Sequence, residues 1–181
     1  MSDSNQRVGI LTFHFSTHNY GAVLQSYASY VNLKELGLEP TFINAIPRQS
    51  HPLKQLITRI YSFIKRSYKF DQFRKQHLSI GQRVRTPQDF ADLNNTYKIF
   101  YVGSDQVWRP ATAGDLILKY FLDFATDAAL KIAYAPSFGM GVWDENETLT
   151  NTIKPLIKRF DGISVREADA VQICAKVFGV E

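Results

Sequence analysis

Short apolar runs alternate with amphipathic stretches along the chain, and that rhythm predicts an α/β fold. Residues 8–13 (VGILTF) form a nearly unbroken apolar run with a polar exit, as expected of a strand buried on both faces. Residues 14–21 are turn-prone. Residues 22–36 then read as a helix, with Val23, Leu24, Tyr27, Val31 and Leu36 along one stripe. Gly37 stands where a helix ends in a left-handed residue, and 40–45 (PTFINA) make the next strand. Strand, helix and strand give a βαβ opening with a right-handed crossover.

The alternation pauses over residues 52–76, which read as helix after helix. Leu53, Leu56, Ile57, Ile60 and Ile64 share one face of the first, and a second short helix is predicted over 68–76. Thr86, Pro87 and Asp89 make a strong helix start: a hydroxyl cap, proline at the first position and an acid in the first turn. Strands are then predicted at 98–103 (KIFYVG), 131–135 (KIAYA) and 162–165 (GISV). Helices are predicted at 147–160, interrupted by Pro155, and at 167–178, stopped by Gly179. About five strands separated by helices imply a doubly wound, Rossmann-like parallel sheet. There is no internal repeat or low-complexity tract, so 181 residues make one α/β domain. A sheet that has just been re-entered is expected to lead into a further strand or domain beyond 180–181.

Composition narrows the class. At 45% hydrophobic, 13% aromatic and 21% charged, the chain is globular. Cys174 is the only cysteine, which excludes an internal disulfide and a thiolate metal site. Residues 1–7 lack the apolar core of a signal peptide, and no run approaches the roughly 20 apolar residues of a membrane span. A reducing, cytoplasmic location is therefore expected. The net charge of +4 is uneven: residues 48–85 hold ten Lys or Arg against one acid, Asp71. That basic helical insertion suits either packing on the sheet or peripheral contact with an anionic inner-membrane surface. No nucleic-acid motif accompanies the charge, and no nucleic-acid partner is expected.

Ligands of an open parallel sheet bind where strand carboxyl ends meet loops and helix N-termini, and the unusual residues cluster at such ends. After the first strand come His14, Asn19, Tyr20 and Gly21. The turn at 19–22 opens a helix with small residues, but is neither a GxGxxG fingerprint nor a Walker loop. After the strand at 98–103 come Ser104, Asp105, Gln106 and Trp108. Carboxylate and amide suit sugar hydroxyls, and an indole suits a ring face; alternatively these residues cap a helix and fill the core. Ser137, Phe138 and Gly139 follow the next strand, and Arg166, beside Glu167, the last. His14 and His18 are proton-carrier candidates. No metal site is expected, because their spacing falls on a loop and a third ligand lacks a place.

The segments VGILTFH (8–14), NYGAVLQSYA (19–28), VGSDQVW (102–108), FLDF (121–124), APSFG (135–139) and FDGISVRE (160–167), in this order, resemble the polysaccharide pyruvyl transferase family. The resemblance implies transfer of a pyruvyl group from phosphoenolpyruvate onto two sugar hydroxyls, forming a cyclic ketal and releasing phosphate, in capsule or exopolysaccharide synthesis. It implies phosphoenolpyruvate as co-substrate with no cofactor, and a saccharide acceptor carried on a lipid. It further implies a two-domain, glycosyltransferase-B-like enzyme whose Arg/His donor motif lies in a carboxyl-terminal domain. No residue of this chain matches that motif, so the chain is expected to be the acceptor-side half, inactive alone. Asp105 is assigned as acceptor contact or base. Ser104, Gln106 and Trp108 shape the sugar site, with Asn19, Tyr20 and Gly21 along the cleft and His14 behind them. Ser137, Phe138 and Gly139 are placed on the same rim, and Arg166 either faces the cleft or pairs with Glu167. Two other readings are a non-catalytic sugar-binding scaffold and a glycosyltransferase using a nucleotide sugar.

Overall fold

The computed structural model describes residues 6–16, 19–47 and 67–180. The helix expected from Leu53 to Ile64, the first half of the basic insertion, and His18 lie outside the described residues.

Six parallel strands form one sheet in the order β3-β2-β1-β4-β5-β6. They are β1 (Arg7–Leu11), β2 (Glu39–Ala45), β3 (Ile80–Val84), β4 (Ile99–Val102), β5 (Leu130–Tyr134) and β6 (Gly162–Ser164). The doubly wound architecture expected from the sequence is the one observed. One strand more is present than the hydrophobic pattern reveals. β3 is an edge strand in which only Val84 is buried, so its ladder to β2 has little apolar signature.

The longer helices are α1 (Tyr20–Glu35), α2 (Ser67–His77) and α3 (Pro87–Thr96). After β4 come the short α4 (Pro110–Ala113) and α5 (Ile117–Tyr120); α6 (Glu147–Ile157) and α7 (Ala168–Ile173) follow β5 and β6. Three starts are capped by a side chain. Asn19 caps α1 by accepting the Ala22 N–H, and Asn146 caps α6 by accepting the Leu149 N–H. Thr86 and Asp89 form a full capping box on α3, with Pro87 at its first position. The ends differ from expectation in two places. α6 stops at Ile157, two residues after Pro155, whose ring cannot donate to the helix. The last helix turns to π geometry over Cys174–Phe178 before Gly179 closes it in the left-handed conformation.

Alternation along the strands builds a core on each face. Val8, Ile10, Phe42 and Tyr101 pack with Leu33 of α1 on one side. Leu11, Ile43, Phe100 and Val102 pack on the other with the larger cluster that contains Trp108, Tyr120, Phe138 and Phe178. Among the described residues, no helix is long and apolar enough to cross a membrane.

Candidate functional site

β1 and β4 are neighbours at the centre of the sheet, and the chain leaves them in opposite directions: from β1 toward β2, from β4 toward β5. Their diverging exits leave a crevice, the usual ligand position in such a sheet. A cleft of about 380 Å³ lies there, lined by Phe13, Phe15, Ser16, Asn19, Ala22, Pro47, Asp105, Gln106 and Thr112.

Hydrogen bonds tie the two exits together. The Thr12 hydroxyl donates to the Ser104 carbonyl at 2.6 Å and accepts from the Gln25 amide at 3.0 Å. The Gly103 N–H donates to the Leu11 carbonyl at 3.1 Å. At Gly103 φ is +111°, and a Cβ would come within 2.2 Å of the Tyr134 carbonyl oxygen, so only glycine fits this close approach. Asp105 follows with φ +98°, a conformation that costs a non-glycine residue on the order of 1–3 kcal/mol. The neighbouring strand end over-determines it: the Ser137 N–H donates to the Asp105 carbonyl at 2.9 Å, and Asp105 bridges to Pro136. One carboxylate oxygen accepts the Gln106 N–H at 2.8 Å, and the other has no partner among the described residues.

The loop after β1 is held from outside. Arg74 of α2 is 7% exposed, and its guanidinium donates to the carbonyls of His14 and Ser16 while pairing with Asp71. The Ser16 hydroxyl accepts the Asn19 N–H at 3.1 Å, which sets the entry to α1. Gly21 lies in the first turn of that helix. A Cβ there would stand 3.2 Å from the Asn19 Oδ1, the atom that makes the cap.

Of the residues assigned from the sequence, Asn19, Asp105 and Gln106 line one cleft. Ser104 is not among the lining residues; its carbonyl accepts the Thr12 hydroxyl and ties the two strand exits together. Gly139 lies beside Gln106: a Cβ at this residue, whose φ is +67°, would sit 2.9 Å from the Gln106 Cδ and 2.7 Å from the Arg109 Cδ.

The others lie elsewhere. Trp108 has no exposed surface and cannot cover a sugar ring; its indole stacks on Phe121 at 5.0 Å and donates to the Tyr120 carbonyl at 3.0 Å. Phe138 is equally buried, between Trp108 and Phe178. Both fill the core below the cleft. Tyr20 points away, against Phe70, in a separate apolar groove between α1 and α2. His14 is 2% exposed and packed against Phe15 and Phe42, and burial pulls its pKa down to about 4. It is neutral near pH 7 and is not a proton carrier open to the cleft. Ser137 is fully buried; its hydroxyl donates to Glu167 at 2.6 Å and accepts the Gly139 N–H at 2.9 Å. Arg166 pairs with Glu167 at 3.3 Å, the ion-pair alternative.

Phe15, Ser16 and Ala22 belong to the loop recognised after the first strand but carried no assigned role, and Phe13, Pro47 and Thr112 were not singled out from the sequence. Neither was Arg74, hidden among the nine other cations of its segment.

A Rossmann-like domain with a carboxylate-bearing cleft at its topological switch point is of the ligand-binding α/β class. Residues 19–181 match the family model described as polysaccharide pyruvyl transferase, and the chain belongs to that family. A search of curated proteins found no match.

Proposed function

We propose that the chain forms the acceptor-side part of an enzyme that moves a pyruvyl group from phosphoenolpyruvate to a saccharide in the synthesis of a capsule, exopolysaccharide or other cell-surface glycan. The observation that carries this reading is Asp105: a carboxylate held in a costly backbone conformation, with one oxygen uncommitted among the described residues, in a cleft shared with Gln106, Ser16 and Asn19. Carboxylate, amide and hydroxyl groups around an open crevice suit the hydroxyls of a sugar.

In the proposed reaction two acceptor oxygens bond to C2 of the enolpyruvyl group, and the bond from C2 to the phosphate oxygen breaks. One hydroxyl proton ends on the methylene carbon, which becomes a methyl group, and the other leaves with phosphate. Asp105 takes the first hydroxyl proton as general base. Phosphate and carboxylate of the donor need cations, which the family resemblance assigns to a second domain across a glycosyltransferase-B-like cleft.

The test is phosphate release from phosphoenolpyruvate with candidate saccharides, using this chain joined to, or mixed with, that second domain, and NMR detection of the ketal. Asp105→Asn is expected to lower the rate by on the order of 10²-fold or more with unchanged thermal stability. Undiminished ketal formation by the variant would remove Asp105 from catalysis. Turnover of a nucleotide sugar in place of phosphoenolpyruvate would replace the pyruvyl reading with a glycosyltransferase.

A further inference from the structure

Arg109 lies beside the cleft residue Gln106, and it makes no ion pair among the described residues. Its Nη1 donates to the Gln106 Oε1 at 3.2 Å, and Gln106 lines the cleft next to Asp105. Its Nε is buried with no hydrogen-bond partner, and no other side-chain hydrogen bond of Arg109 is made among the described residues. The ion pairs among those residues engage Arg7, Arg74, Lys119, Arg159 and Arg166, and none of them involves Arg109. The nearby Glu167 is already taken by Arg166 and the Ser137 hydroxyl.

This arginine is also built in. Its main-chain carbonyl and that of Gln106 both lie within hydrogen-bonding reach of the Thr112 hydroxyl, at 3.0 and 2.9 Å. Its side chain and that of Gln106 lie across Gly139, where a Cβ would collide with both. A half-buried guanidinium oriented by an amide, with no carboxylate to neutralise it, is how proteins present a fork for a planar or tetrahedral oxyanion.

We propose that Arg109, oriented by Gln106 over Gly139, is an anion-recognising residue beside the cleft, which therefore takes a substrate bearing a phosphate or carboxylate next to Gln106. Asp105 would repel an anion in its own half and accept a neutral hydroxyl there, so the two side chains orient one ligand by charge. The phosphate can come from the donor, phosphoenolpyruvate, or from a sugar carried on a phosphate. This placement depends on the cleft assigned above and not on pyruvyl chemistry.

The test is calorimetric binding of phosphoenolpyruvate, glucose 1-phosphate and inorganic pyrophosphate to the full chain at 50 and 500 mM NaCl. At least one probe should bind, more weakly at high salt, and lose tenfold or more in affinity in Arg109→Gln, with Arg109→Lys losing less. Gly139→Ala, which displaces the arginine without removing it, should weaken the same probe. Dependence on Arg109 for glucose 1-phosphate alone identifies an acceptor phosphate, and for phosphoenolpyruvate alone the donor. A folded Arg109→Gln protein that binds every probe as tightly as the wild type overturns the assignment, even if ketal formation is found. Should no ketal form while a probe still depends on Arg109, the anion site stands and the pyruvyl reading falls.

Discussion

His14 stands in the turn after β1, where its N–H donates to the Thr12 carbonyl at 2.9 Å, and its side chain is buried. Its ring meets Phe42, a core residue shared with Val8 and Ile10. Burial, above all, lowers its pKa from 6.5 to about 4. The unfolded chain therefore takes up a proton on His14 below about pH 6.5, and the folded chain only below about pH 4. Between those values the unfolded state holds more protons, so stability falls as pH falls. The slope approaches 1.4 kcal/mol per pH unit, and about 3 kcal/mol is lost before the effect levels off. Urea unfolding from pH 7 to pH 4 should show this loss in the wild type. In His14→Gln the additional slope should vanish, and equal slopes in the two proteins would show that His14 does not titrate as described. No strand period reaches His14, because the chain has already turned after Leu11, so its burial was not legible in the sequence. Trp108 gave no signal either, because an indole after a strand end has the same letter whether it turns up toward a ligand or down onto Phe121.

At the scale of elements, local chemistry was legible and long-range pairing was not. The Thr86-Pro87-Asp89 start of α3 is readable because both capping hydrogen bonds join residues three apart: Thr86 accepts the Asp89 N–H at 3.1 Å, and Asp89 accepts the Thr86 N–H at 2.9 Å. Thr86→Ala should cost about 1 kcal/mol by chemical denaturation, with Thr86→Ser close to wild type. An alanine variant as stable as the wild type would mean that the cap is dispensable. β3 lacks any local signature. Its residues 80–84 (IGQRV) are mostly exposed, and its position follows from pairing with β2 about forty residues earlier, with a shift in register between Phe42 and Asn44. No hydrophobic period announces a strand of that kind. The cleft was legible to the same degree: the loops after β1 and β4 were recognisable as strand exits, whereas Pro47 and Thr112 join them only through the three-dimensional path of the chain.

For the molecule as a whole, the sheet order predicts a gradient of local stability. β1 and β4 are central, with Val8, Ile10, Phe100 and Val102 fully buried, whereas β3 is an edge with one buried residue. Hydrogen exchange should open β3 well before β1 and β4. Exchange of all three together would mean that the sheet opens as one unit. Under this gradient the cleft sits on the better-protected strands, so its exits from β1 and β4 keep their geometry while the edge breathes.

The contact from Arg74 to the carbonyls of His14 and Ser16 also limits how this site can be rebuilt. A chimaera that transplanted residues 12–16 into a related scaffold would carry the loop's letters without its brace, which enters from nearly sixty positions downstream. Shape would be inherited only if the arginine-bearing helix travelled with it.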